Sequence, residues 1–163
     1  MSAPLEIKHT ALSEMEALMR EKIEQGGSVT FSPKGKSMLP MLRSSGDSVT
    51  LIRPPARIKK GTVALFISKT GDEERKFVLH RLVKIKKDRL IFCGDNRRSC
   101  DEPVLYEDVI GVVSGYESRG KTYTERELWY RIYRRWMVAT SSCRGAALGI
   151  QNFIYKIWKK LKG

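Results

Sequence analysis

One serine, one histidine and two aspartates are the residues of this chain whose types and order could support nucleophilic chemistry. Ser37 sits in Gly35-Lys36-Ser37-Met38-Leu39-Pro40-Met41-Leu42, a glycine-flanked turn followed by Gly46-Asp47-Ser48-Val49. A serine hydroxyl attacks a carbonyl only when a base accepts its proton and fixed donors hold the oxyanion. The chain has two histidines. His9 precedes the first apolar pattern and reads as an exposed side chain, whereas His80 lies inside Phe77-Val78-Leu79-His80-Arg81-Leu82-Val83. A carboxylate able to orient that base occurs at Asp95, in Gly94-Asp95-Asn96, and again at Asp101, in Cys100-Asp101-Glu102-Pro103. Taken singly, each has a commoner use: a loop serine, a core histidine bonded to a carbonyl, aspartates bonding their own turns. Cys93, Cys100 and Cys143 cannot all pair and lack metal-ligand spacing, so neither metal nor cofactor is expected.

The elements that must position these residues follow from periodicity. Residues 5–25 read as a helix, with Leu12, Met15, Leu18, Met19 and Ile23 at helical spacing and Gly26-Gly27 as its stop. Val29 and Phe31 alternate with polar residues as a strand leading to Ser37. Short apolar runs at 47–53, 62–67, 76–85, 89–93 and 109–113 follow, broken by Pro54-Pro55, Thr70-Gly71-Asp72, Lys86-Lys87-Asp88 and Gly94-Asp95-Asn96. That spacing predicts a mainly β fold, a compact barrel or sandwich. Beyond Tyr123 the period becomes helical: Leu128, Trp129, Ile132, Tyr133, Trp136 and Met137 read as one apolar stripe. Ile150, Phe153, Ile154, Ile157, Trp158 and Leu161 read as a second. The expected organisation is an N-terminal helix (1–27), a β-rich core (28–120) and a tail of two amphipathic basic helices (121–163).

Charge is uneven along the chain. The net charge is +13, yet Tyr116 to Gly163 holds eleven Lys/Arg against three Glu, which is +8 of it. Such basicity calls for an acidic partner. Lysines beside the second stripe, with Trp158 near its end, have the composition of an interfacial helix, so an anionic membrane surface is an expected partner of residues 124–163. A helical pair packed on the β-core with a solvated basic face carries equal weight. Nucleic acid ranks behind both, because the aromatics lie on apolar faces rather than between the charges. The first residues lack a signal-peptide pattern, and no run approaches the roughly 20 apolar residues of a membrane span. The expected location is the reducing cytoplasm, with a peripheral place on the inner membrane surface.

In order, the boxes Gly-x-Ser-Met-x-Pro-x-Leu, Gly-Asp-x-Val, Lys-Gly-x-Val-x-x-Phe, His-Arg-Leu-Val, Gly-Asp-Asn and Val-Ile-Gly-x-Val span about residues 29–114. Each is weak alone, but together the chain resembles the type I signal peptidases and LexA-like peptidases over about half its length. The resemblance implies a serine endopeptidase acting on a peptide or precursor protein, with Ser37 as nucleophile. Bacterial signal peptidases and LexA-like proteins carry a lysine base before the arginine. The archaeal and endoplasmic-reticulum branch carries histidine, as His80 stands before Arg81 here. That branch also uses an aspartate six positions after the Gly-Asp-Asn aspartate, which from Asp95 is Asp101. The implied triad is Ser37-His80-Asp101, with Asp95 supporting the site or taking the third place. The oxyanion would be held by the Ser37 N–H and a donor from the Gly35-Lys36 turn. Where some relatives offer a serine hydroxyl two residues earlier, this chain has Gly35. Met38 and Pro40 would shape the turn and the substrate groove.

Three departures qualify the resemblance. Signal peptidases carry an N-terminal membrane helix, whereas residues 5–25 hold eight charged side chains. Thr62 stands where the third-strand box usually has aspartate, and the loop after Asn96 is short and contains Cys100. LexA-like members cut themselves at Ala-Gly or Cys-Gly, and neither pair occurs before Ser37. Cleavage of exported precursors and self-cleavage are therefore disfavoured, whereas peptidase chemistry is not. The competing class is a catalytically idle β-domain that binds a membrane or a protein through its basic tail.

Overall fold

The computed structural model describes residues 3–44, 46–68, 75–118, 120–124 and 126–141, with the backbone alone for 3–10. The expected second helical stripe from Ile150 to Leu161 lies outside the described residues. Helix α1 (Ala3–Glu24) precedes strands β1 (Val29–Phe31), β2 (Ser48–Ile52), β3 (Val63–Ser68), β4 (Lys76–Lys86) and β5 (Arg89–Cys93). Then come β6 (Val104–Leu105), a 3-10 turn (Tyr106–Asp108), β7 (Val109–Ser118), β8 (Lys121–Thr124) and helix α2 (Leu128–Ala139). The eight strands form one antiparallel sheet in the order β1-β2-β7-β3-β4-β5-β6, with β8 pairing β7. The fold is mainly β.

Strand β3 is the centre of the packing. Val63, Leu65 and Ile67 join Met38, Met41, Leu42, Leu51 and Tyr130 in one apolar cluster. Ala64 and Phe66 join Leu82, Phe92 and Val112 in another. Both faces of β3 are thus buried, which is why it reads as a continuous apolar run rather than an alternation. Strands β6 and β8 were not foreseen, nor was the full length of β7. Strand β7 continues to Ser118 because Tyr116 supplies a buried side chain inside an otherwise polar stretch, pairing Val49 on one side and Tyr123 of β8 on the other. Helix α1 is tied to the sheet by Arg20, whose guanidinium donates to the carbonyls of Val109 and Glu107, and by buried Ile23.

The expected single stripe on α2 divides. Tyr130 and Met137 are buried against the sheet, whereas Leu128, Ile132 and Trp136 are 59 to 69% exposed on the outer side. The reason is angular: residues four apart share a face, and Tyr130, Tyr133 and Met137 lie opposite Leu128, Ile132 and Trp136. The phenols, not the aliphatic residues, were recruited inward.

The segment carrying Ser37 is held at both ends. Met38, Met41 and Leu42 are buried in the first cluster, and the Leu39–Pro40 peptide is cis. Downstream, Asp47 is buried and accepts from the Arg43 N–H at 2.8 Å, from Arg43 Nη2 at 2.7 Å and from Ser118 Oγ at 3.0 Å. The Asp of the Gly-Asp-x-Val box is therefore a clasp between the serine segment and β7. The Arg43 hydrogen bonds outweigh burial and push its carboxyl down to about 2. An unfolded aspartate titrates near 3.9, so this stabilisation is complete above that pH and is lost as pH falls towards about 2. Because Arg43 is 41% exposed and its pairing is screened, the contribution is about 1–2 kcal/mol. Asp47→Asn is expected to lose that much stability in urea titrations at pH 7, with the gap to the native protein closing as pH approaches 2.

Candidate active site

His80 and Arg81 are neighbours on β4 and therefore point to opposite faces of the sheet. His80 is buried, and its Nδ1 lies 2.6 Å from Asp101 Oδ2. An ionised carboxylate can only accept, so in this pairing Nδ1 donates, and in a neutral imidazole Nε2 is then the acceptor. Asp101 is itself fixed by its backbone N–H, which donates to the Phe92 carbonyl at 2.8 Å. The edge of the Phe66 ring packs against the imidazole.

Arg81 and Asp95 make the other half of the arrangement. The guanidinium grips Asp95 with two hydrogen bonds, Nε to Oδ1 at 2.8 Å and Nη2 to Oδ2 at 2.7 Å, and both side chains are wholly buried. Nη1 donates to the Gly61 carbonyl at 2.8 Å and meets the Tyr130 hydroxyl, while the Tyr133 hydroxyl donates to Asp95. Burial opposes the Arg81 charge, but the hydrogen bonds and charge of Asp95 outweigh it and hold the guanidinium above the ordinary arginine range. Of the two aspartates considered for the third place, the structure puts Asp101 on His80 and Asp95 on Arg81.

The turn Gly94-Asp95-Asn96 stitches these groups to the serine segment. Asn96 donates its backbone N–H to the Ser37 carbonyl at 2.7 Å and its side-chain Nδ2 to the Lys36 carbonyl at 3.1 Å. Gly94 lies where three groups converge: a Cβ there would stand 2.8 Å from the Ser37 carbonyl, 2.8 Å from Arg97 Cγ and 2.9 Å from His80 Nε2. The imidazole and the backbone of Ser37 thus meet across one glycine. Both line a cleft of about 290 Å³, with Gly35, Met38, Leu42 and residues 76–79 of β4 on its walls. Among the described residues the Ser37 hydroxyl makes no hydrogen bond, to His80 or elsewhere.

The remaining expected residues fall as follows. Gly35 adopts φ 100°, a left-handed conformation natural to glycine, and so turns the chain immediately before Ser37. Lys36 is exposed, and its carbonyl is engaged by Asn96. Met38 is buried, forming cleft floor and core together, while Pro40 lies on a separate depression with Met41 and Tyr133. Among the described residues no three or more His, Cys, Asp or Glu side chains are grouped to hold a metal, and no helix is long and apolar enough to cross a membrane. Sequence reasoning missed Asn96, Gly94 and the two phenols. A glycine closing a strand beside an expected catalytic strand is a signal of close backbone approach that could have marked Gly94. Nothing in the sequence pointed Tyr130 or Tyr133 at an arginine fifty residues earlier. No family model, curated protein or solved structure matches the chain.

The two aspartates are expected to respond differently to amidation. Asp95→Asn strands a buried guanidinium and should cost about 3–5 kcal/mol. Asp101→Asn should stay within about 1 kcal/mol of the native protein, because Asp101 is partly exposed and its backbone anchor remains. Denaturant titration of the two variants checks the contrast; equal losses would contradict the division of roles.

Proposed function

We infer that the protein is a serine endopeptidase of the signal-peptidase/LexA type, in which Ser37 attacks a peptide carbonyl, His80 takes its proton and Asp101 orients His80. The observation that carries this reading is the 2.6 Å His80–Asp101 contact in a cleft shared with Ser37. The Asp101 carboxylate selects the tautomer in which Nε2 accepts, and it stabilises the imidazolium formed during attack. The Ser37 N–H, next to the Gly35 turn, is the first candidate oxyanion donor. Among the described residues, 76–80 of β4 pair β3 on one side only, since β5 joins from Arg81 onward. An extended substrate lying along that half-strand would be carried past Ser37, gaining main-chain hydrogen bonds on the way. The finer architecture proposed with this reading is the compact β-barrel or sandwich peptidase core of that superfamily.

A serine-directed phosphonate is expected to label the native protein and not Ser37→Ala. Asp101→Asn should lose about three to four orders of magnitude in kcat once a substrate is in hand. Equal labelling of the two proteins, or full activity in Asp101→Asn, would overturn the assignment and favour the idle binding domain.

One observation supports a second property, attachment to an anionic membrane surface. Leu128, Ile132 and Trp136 form an exposed row on α2, flanked by Trp129 on one side and by exposed Arg131 and Arg135 on the other. Apolar and aromatic side chains beside arginines suit the interface of an acidic bilayer. Deleting residues 124–163 is a poor test, because Tyr130 and Met137 belong to the core. Leu128→Glu/Ile132→Glu/Trp136→Glu leaves those contacts alone. It should abolish flotation with phosphatidylglycerol vesicles while leaving the melting temperature unchanged, and undiminished flotation would remove α2 as the docking face.

A further inference from the structure

We propose that the cleft takes an acidic peptide, selected by a rim of cations around Ser37; the proposal rests on the peptidase reading and names its substrate class. Two adjoining depressions, of about 290 and 630 Å³, share Gly35, Ser37 and Arg97. The first carries Lys34 and Lys76 as well, and the second carries Lys36 and Arg98. All five side chains are exposed, Arg98 with an interaction of its own, and among the described residues no aspartate or glutamate lines either depression. Arg43, also on the first wall, is already engaged by Asp47. Asp101 stands behind the imidazole, committed to Nδ1.

This distribution is not what the average composition produces. Most of the excess charge, +8 of +13, resides in residues 116–163, while the first 115 residues hold fifteen carboxylates against twenty cations. Elsewhere in that region acids and bases interleave, as in the Glu16–Arg20 and Glu16–Arg75 pairs. Among the described residues only one sign of charge lines the two depressions at the serine. A concave surface lined by one sign of charge concentrates its field, drawing oppositely charged ligands in and repelling like ones. Because cations stand in both depressions, which meet at Ser37, acidic residues on either side of the scissile bond are favoured. Lys and Arg near that bond are disfavoured by the same field.

The test uses full-length Ser37→Ala protein and fluorescein-labelled alanine-based peptides of equal length, carrying Glu, Gln or Lys at alternate positions. Anisotropy titration should show the Glu peptide binding at least about tenfold tighter than the Gln peptide, a step of about 1.4 kcal/mol, with the gap shrinking as salt is raised. Lys34→Glu/Lys36→Glu/Arg97→Glu should remove the preference. Lys84→Glu/Lys86→Glu/Lys87→Glu, which changes net charge equally on the β4–β5 hairpin, should keep it. If the rim triple variant does not fold, Lys36→Gln/Arg97→Gln serves in its place and should weaken the preference severalfold. Equal binding of Glu and Gln peptides, or the same loss in the rim and hairpin variants, overturns the proposal. Failure of the two readings is distinguishable: native protein that binds the Glu peptide but cuts none supports the rim and sinks the peptidase. Protein that cuts Glu and Gln peptides equally keeps the peptidase and sinks the rim.

Discussion

A guanidinium with no exposed surface must be answered from within the protein, and that demand organises this structure. Arg81 spends its donors on Asp95, Gly61, Tyr130 and the Met41 sulfur, and the Tyr130 and Tyr133 rings lie within 5.3 to 5.7 Å of its charge. Each partner comes from a different part of the chain: the serine segment, the β3 approach, the turn after β5 and α2. Charges buried this way gain little net stability over an apolar core, but removing one partner is severe. The consequence is geometric. Wherever β4 goes, the serine segment, the Gly94-Asp95-Asn96 turn and α2 must follow, and His80 is the next residue along the same strand.

The three residues of that turn divide the labour by chemistry. Gly94 has no side chain and leaves room for the imidazole and the Ser37 carbonyl. Asp95 is ionic and holds Arg81. Asn96 has two donors, backbone and amide, and spends both on the carbonyls that bracket the peptide between Lys36 and Ser37. Those two bonds engage carbonyls only, and among the described residues the Ser37 N–H has no partner. The turn therefore reaches both faces of one strand, with Gly94 against His80 and Asp95 on Arg81.

Much of the strand framework was legible because its cause is local. The run from Val63 to Ile67 is apolar enough to be a central strand in any surroundings, and β4 and β5 are joined by a turn that reads as a hairpin. The extension of β7 and the existence of β6 and β8 were not, since Ser114 to Ser118 and Lys121 to Thr124 acquire strand character only from the partners they meet. The same holds for the site. Ser37 and His80 could be singled out by type, whereas Asp101 was preferred to Asp95 only through the resemblance to histidine-base peptidases. The roles of Asp95 and Asp101 could not be separated, because both are aspartates in turns after one strand. Only the side of β4 to which each turn delivers its carboxylate distinguishes them.

Helix α2 shows how far a periodic reading reaches. Its apolar residues were grouped as one stripe because hydropathy ranks Leu, Ile and Trp with Tyr and Met, and the wheel was asked only where apolar residues fall. The interior asked something else, a hydroxyl beside a buried charge. Tyrosine satisfies this with an apolar ring for the core and an oxygen for Arg81 or Asp95, which no aliphatic side chain at Leu128 or Ile132 could do. Rotating the helix to bury Leu128, Ile132 and Trp136 would have gained apolar area at the cost of two hydrogen bonds to a desolvated ion pair. In a low-dielectric interior the polar contacts win that comparison, so the aliphatic row is left outside by the needs of Arg81. The outward face of α2 and the inward fixing of β4 are thus two results of one electrostatic choice.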